Sequence, residues 1–191
     1  MNKHILIAAA SSAFALGALP ALAAQEKTPL VFDASVSDAT PALRKDACKL
    51  NILGISDERF SKGGIGADSP VATDAPQAWV GTGLESLKAY GYTVGRSSAP
   101  VAGALNLDVR LIRAYTWLGH MRINGMVAAD VTLVSPSGSR TRKFRASGSK
   151  SNMMNANSEH VTALNYAFNH MVHQMAAGLS SECAGATIAA R

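Results

Sequence analysis

Charge is scarce in this chain: 16% of its residues are Asp, Glu, Lys or Arg, against 48% hydrophobic. That balance excludes a coiled coil and a disordered chain, and 16 glycines with 7 prolines exclude a collagen-like one. After residue 23 no run is long and apolar enough to cross a bilayer. Residues 1–23 contain no cysteine, so they offer no acceptor for a lipid anchor at a cleavage site. The glycine-rich run Lys62-Gly63-Gly64-Ile65-Gly66 lacks the Gly-Lys-Ser/Thr ending of a phosphate loop, and it reads as part of a flexible loop continuing to Thr73. The serines show no nucleophile-elbow pattern. Adjacent Asp57 and Glu58 point opposite ways on an extended segment, which is poor geometry for a carboxylate dyad. The expectation is therefore a non-enzymatic protein with no cofactor. Asp57 shares a side with Arg59 and is expected to pair with it at the border of the loop.

What is present begins with an address. Lys3 and His4 precede an apolar run from Ile5 to Leu19, about 15 residues and short of the ~20 that span a bilayer. Pro20 and then Ala21-Leu22-Ala23 complete the pattern of a cleaved secretory signal peptide over residues 1–23. The expected location is periplasmic or secreted. Removing Lys3 lowers the net charge from +5 to +4, which is mild. It permits contact with an anionic or membrane surface without naming one. Export would place Cys48 and Cys183 in an oxidising compartment, which favours an internal disulfide between them. Two free buried thiols or an intermolecular bond are the open alternatives.

With 191 residues, one ordinary domain is expected. Residues 24–47 read as an extended or loosely docked arm, 48–184 as a single α+β domain, and 185–191 as a disordered tail. Leu50 to Ile55 is a β-type run. Thr73-Asp74-Ala75-Pro76 opens a helix whose apolar positions are Trp79, Val80, Leu84 and Leu87, with Gly91 as the stop. Gly81 and Gly83 within it are expected to allow close approach to a sheet. Tyr92-Thr93-Val94 is a short second strand.

The clearest pattern is Leu105-Asn106-Leu107-Asp108-Val109-Arg110-Leu111, apolar at every odd position. Met121, Ile123, Val127, Val131 and Leu133 carry the odd-number rule through a second long strand. A Ser135-Pro136-Ser137-Gly138 turn leads to a third from Arg140 to Ser147. Its Arg140, Arg142, Lys143 and Arg145 suit a charged sheet edge. With Phe144 as its only aromatic, this strand lacks a stacking platform for nucleic acid, which is not expected as a partner. A final helix starts at Asn157 or Ser158 and carries the stripe Val161, Leu164, Phe168, Met171, Met175 and Leu179. The predicted architecture is a mostly antiparallel sheet of about five strands with two helices on one face, in the order β-α-β-β-β-β-α.

These ordered features resemble the YajG-like family of bacterial envelope lipoproteins. The likeness runs over residues 48–183 through Asp57-Glu58-Arg59 and Ile65-Gly66. It continues with the Trp79, Leu84, Leu87 and Gly91-Tyr92-Thr93-Val94 passage, Leu105 to Val109, the Pro136-Ser137-Gly138 hairpin and the last helix. The family's lipid-bearing Cys is missing here. The resemblance implies binding to an envelope protein rather than catalysis.

Two surfaces carry candidate contacts. The connection Tyr115-Thr116-Trp117-Leu118-Gly119-His120 is expected at a sheet end, where Tyr115, Trp117 and His120 could anchor a partner. Trp117 folding back to cap the core is slightly favoured over contact. The alternative function is a periplasmic metal-binding or stress protein that uses His170 and His173, with His160 ten residues before His170 and soft sulfur from Met171 and Met175. Both methionines lie on the apolar stripe, so core packing accounts for them without metal, and no metal site is assigned.

Overall fold

The computed structural model describes residues 28–62, 64, 65, 71, 76–135 and 138–189. The expected signal peptide, the Thr73-Asp74-Ala75 cap and the Pro136-Ser137 turn lie outside the described residues, as does most of the glycine-rich loop.

Five strands form one sheet: β1 (Lys49–Asp57), β2 (Thr93–Arg96), β3 (Leu105–Gly119), β4 (Arg122–Ser135) and β5 (Gly138–Ser151). Their spatial order is β2-β1-β3-β4-β5. The last three make the expected antiparallel meander, but β1 lies parallel to both β2 and β3. The sheet is therefore mixed, and the expectation of a mostly antiparallel one is corrected. The reason is the connection between β1 and β2. It carries helix α1 (Pro76–Glu85) and the 3-10 turn Ser86–Tyr90 that extends it, which is the long crossover that parallel neighbours require. That added 3-10 turn also modifies the predicted element order. Gly91 stops it in the left-handed conformation, φ 95°, where glycine carries no steric penalty.

Helix α2 (Asn157–Ala189) crosses β3, β4 and β5 on the face that α1 also covers over β1. It runs on past Gly185, where a disordered tail was expected. Its buried stripe is Leu164, Phe168, Met171, Met175 and Leu179. Beneath it lie Leu107, Val109 and Leu111 of β3 and Val127, Ala129 and Val131 of β4, with Phe144 and Ala146 of β5. Two glycines let the helix backbone touch the sheet. A Cβ on Gly125 would sit 2.5 Å from the Ala163 carbonyl oxygen, and one on Gly148 2.5 Å from the Ala167 nitrogen.

Gly83 serves a different approach from the one expected. Its missing side chain makes room for the Phe168 ring of α2, and Gly81 faces the Arg96 guanidinium. Trp79 stacks on that ring at a centroid distance of 4.5 Å and donates its indole N–H to Asn165 Oδ1 at 3.0 Å. The same helix holds the N-terminal arm. The Asn165 amide donates to the Val31 carbonyl, and that of Asn169 donates to the carbonyls of Asp33 and Val36. Phe32 meets Phe168 edge-on at 5.4 Å. Cys48, just before β1, is disulfide-bonded to Cys183 of α2, with a Cα separation of 5.7 Å. The bridge joins the beginning of the sheet to the far part of the last helix. No helix among the described residues is long and apolar enough to cross a membrane.

Candidate functional site

Strand β3 changes sides halfway along. From Leu105 to Leu111 its odd residues face the helices, as the alternation predicts. Between Leu111 and Arg113 the pairing with β4 slips: Leu111 opposes Ala129, and Arg113 opposes the next residue, Ala128. Ile112 is the extra residue of a β-bulge, which inverts every later position. Ala114 and Thr116 consequently turn inward and are buried. Tyr115 and Trp117 turn to the face that no helix among the described residues covers.

The predicted contact residues thus occupy a different place from the one expected. Tyr115 and Trp117 belong to the body of β3, not to a connecting loop at the sheet end, and the turn itself is only His120-Met121. Their rings lie 5.5 Å apart, tilted by 38°, and remain 38% and 39% exposed. Trp117 does not cap the core; that place belongs to Trp79. Met126, directly opposite Tyr115 on β4, is buried, and Asn124 stands opposite Trp117. His120 is exposed at the turn.

Around the aromatic pair the open face is polar and mainly basic. Arg110 reaches Asp130 across the strands at 3.3 Å, and Asp130 pairs in register with Lys143 on its other side. Arg113 and Arg145 are exposed. Thr132 and Thr141 share a hydrogen bond at 2.9 Å, and Arg122 donates to Ser149 Oγ at 2.7 Å. Two further basic residues of β5, Arg140 and Arg142, turn toward α2. Arg142 donates to Glu182 at 3.0 Å and to the Gly178 carbonyl at 2.6 Å, and Arg140 lies 3.4 Å from Glu182.

Directly behind the aromatic pair is a buried polar chain that the sequence reading missed. Thr116 Oγ1 lies 2.7 Å from Nδ1 of buried His160, whose Nε2 is 3.1 Å from Asn155 Oδ1. Because the Asn155 oxygen can only accept, the imidazole proton sits on Nε2 and Nδ1 accepts from the threonine. Burial pushes the His160 pKa below its ordinary value, partly offset by the charge of Glu159. No sequence signal marks this polar chain, because it depends on the register shift at Ile112 that puts Thr116 opposite the start of α2.

The histidines of the metal alternative are otherwise engaged. Nδ1 of His170 is 2.9 Å from the Ser147 carbonyl and that of His173 is 3.2 Å from the Tyr90 hydroxyl. Both border a shallow depression of about 420 Å³ shared with Arg145 and Gln174. Met171 and Met175 are buried in the core. Among the described residues no group of three or more His, Cys, Asp or Glu is placed to hold a metal ion. At the end of β1, Asp57 and Arg59 form the expected pair, Nε to Oδ1 at 2.8 Å and buried, and this hydrogen bond holds the carboxylate below its usual range. An amide pair, Asn51 Nδ2 donating to Asn106 Oδ1 at 2.9 Å, anchors the segment after β2 through the Val101 and Ala99 backbone.

No protein-family model and no curated protein matches the chain. Solved structures similar to it include a candidate lipoprotein of Caulobacter crescentus CB15, 13% identical with a TM-score of 0.43, covering 68% of this chain and 91% of its own. The hypothetical protein CT253 of Chlamydia trachomatis is 9% identical with a TM-score of 0.46, covering 72% and 98%. PelC of Paraburkholderia phytofirmans, a dodecamer, is 13% identical with a TM-score of 0.39, covering 69% and 90%.

Proposed function

We propose that this protein is an exported, non-enzymatic binding module of the bacterial envelope, akin to the YajG-like lipoproteins, and that the sheet face opposite α1 and α2 receives a partner polypeptide. The observation that carries this reading is the bulge at Ile112, which turns Tyr115 and Trp117 out of the core and onto that face. Two adjacent half-exposed aromatic rings are costly to leave in water and are the side chains that most often anchor interfaces. Arg113, Lys143 and Arg145 around them fit a partner with acidic residues flanking an apolar segment. The Cys48–Cys183 bond and the pattern of residues 1–23 support an oxidising, extracytoplasmic location, periplasmic or secreted.

A photo-reactive residue at Thr141, on the same face, tests the reading when compared with one at the exposed Gln174 of α2. The expected result is a discrete crosslinked product in the native envelope from position 141 only, weakened by Trp117→Ala. Equal products from both positions, or a yield indifferent to Trp117→Ala, would reject the face as the site.

A further inference from the structure

Six of the nine large hydrophobic side chains exposed among the described residues crowd one end of the sheet. They are Tyr115, Trp117, Leu118, Met121, Met153 and Met154. The three methionines stand outermost, 79% to 86% exposed, on two neighbouring loops. One loop is the β3–β4 turn, where His120 and Met121 adopt φ 43° and 53°, a left-handed region that normally selects Asn or Gly in a two-residue hairpin. The other is the segment after β5, tied to the first by the Asn152 N–H donating to the Met121 carbonyl at 2.7 Å.

Neither loop is left loose. The Glu159 carboxylate accepts from the backbone N–H groups of Met153, Met154 and Ala156, and these bonds, that of Met153 foremost, lower its pKa. Asn155, itself at φ 52°, is held by the Asn152 side chain and by His160. The fold therefore fixes an apolar platform in place, at the expense of strained turn residues, and aims it at solvent.

The chemistry changes with depth behind this platform. The aromatic pair comes next after the methionines: Trp117 opposes Asn124, two pairs back from the Gly119–Arg122 pair that closes the turn. Arg122 and Lys150 flank the same end. Among the described residues the acid close by is Glu159, whose carboxylate is already engaged by the loop and faces Lys150. Asp130, the first acid along β4, is eight residues from Arg122, roughly 26 Å at strand rise. Apolar side chains outermost, aromatics behind them and cations around them match the layering of a lipid interface.

We propose that this end of the domain docks on an anionic phospholipid surface, with Met121, Met153 and Met154 entering the acyl boundary and Arg122 and Lys150 meeting lipid phosphates. This end borders the open face and shares Tyr115 and Trp117 with it, but Met121, Met153, Met154 and Lys150 lie outside the proposed polypeptide contact, and lipid docking does not depend on polypeptide capture.

The test is co-sedimentation of the chain from Ala24 onward, which keeps every described residue and omits the apolar run of residues 5–19. Vesicles of phosphatidylcholine with phosphatidylglycerol are compared with phosphatidylcholine alone. The chain is expected to bind the mixed vesicles, more weakly at high salt, with a blue shift of Trp117 emission. A Met121→Ser, Met153→Ser, Met154→Ser variant should lose binding by about tenfold or more while melting like wild type. Arg122→Ser with Lys150→Ser should lose the preference for phosphatidylglycerol. Absence of binding by the wild-type chain, or equal binding by the triple-serine variant, overturns the proposal. So does a dimer in solution that the triple-serine variant dissociates, because the platform would then serve a second copy of the chain.

Discussion

The two faces of the sheet hold the same strands but different chemistry. On the covered face, Leu107, Val109, Val127 and Val131 meet the α2 stripe, with Gly125 and Gly148 letting the helix backbone close in. On the open face, Tyr115 and Trp117 stand half-exposed among Arg113, Lys143 and Arg145. The first face is organised for folding: Leu107, Val109, Val127 and Val131 are buried in one core with the α2 stripe. The second leaves Tyr115 and Trp117 uncovered by any helix among the described residues. One inserted residue, Ile112, decides which side Tyr115 and Trp117 belong to.

Breaking the covered face should have the largest effect. Phe168 is fully buried between Trp79, Phe32 and the space left by Gly83. Phe168→Ala should cost about 3–5 kcal/mol in urea unfolding. Gly148→Ala comes next, at about 1–3 kcal/mol, because its Cβ would meet backbone of α2 and the helix would have to shift.

The link between the faces is expected to show itself in acid. His160 is held neutral in the folded state, with its pKa below the ordinary imidazole value. Below that ordinary value the unfolded chain takes up a proton that the folded chain resists. The contribution is therefore complete above about pH 6.5 and is lost as pH falls through the folded-state pKa. His160→Gln should reduce the fall in urea midpoint between neutral and mildly acidic buffer. An unchanged fall would mean that other groups carry it. The smallest effect belongs to the open face: Trp117→Ala should change stability by no more than about 0.5 kcal/mol, measured by the same unfolding. A loss as large as that of Phe168→Ala would erase the distinction between the faces.

Much of the covered face was legible in the sequence. Period-two alternation from Leu105 to Leu111 and the three-and-four spacing of Leu164, Phe168, Met171 and Met175 each mark a buried side. The direction of β1 was not legible, because a short run such as Leu50 to Ile55 carries no mark of which neighbour it will join or which way it will run. The bulge was equally silent. Ile112 has the composition of any strand residue, so the alternation seemed to end at Leu111, and Tyr115 to His120 resembled a connection. The aromatic pair stands in the sequence as a candidate contact, with core-capping by Trp117 slightly favoured, and nothing there marks its place in the body of β3. The Thr116–His160–Asn155 chain was hidden for the same reason, since it exists only once Thr116 faces inward.

Fluorescence quenching tests the central claim most directly, because the chain has two tryptophans, one on each side of the sheet. With a soluble quencher, the wild-type chain should show a shielded, blue component from Trp79 and an accessible, red-shifted one from Trp117. Trp117→Phe should remove the accessible component alone. If the emission of Trp117 proves blue and shielded in the isolated chain, the ring lies in the core, and the account of an open binding face is contradicted.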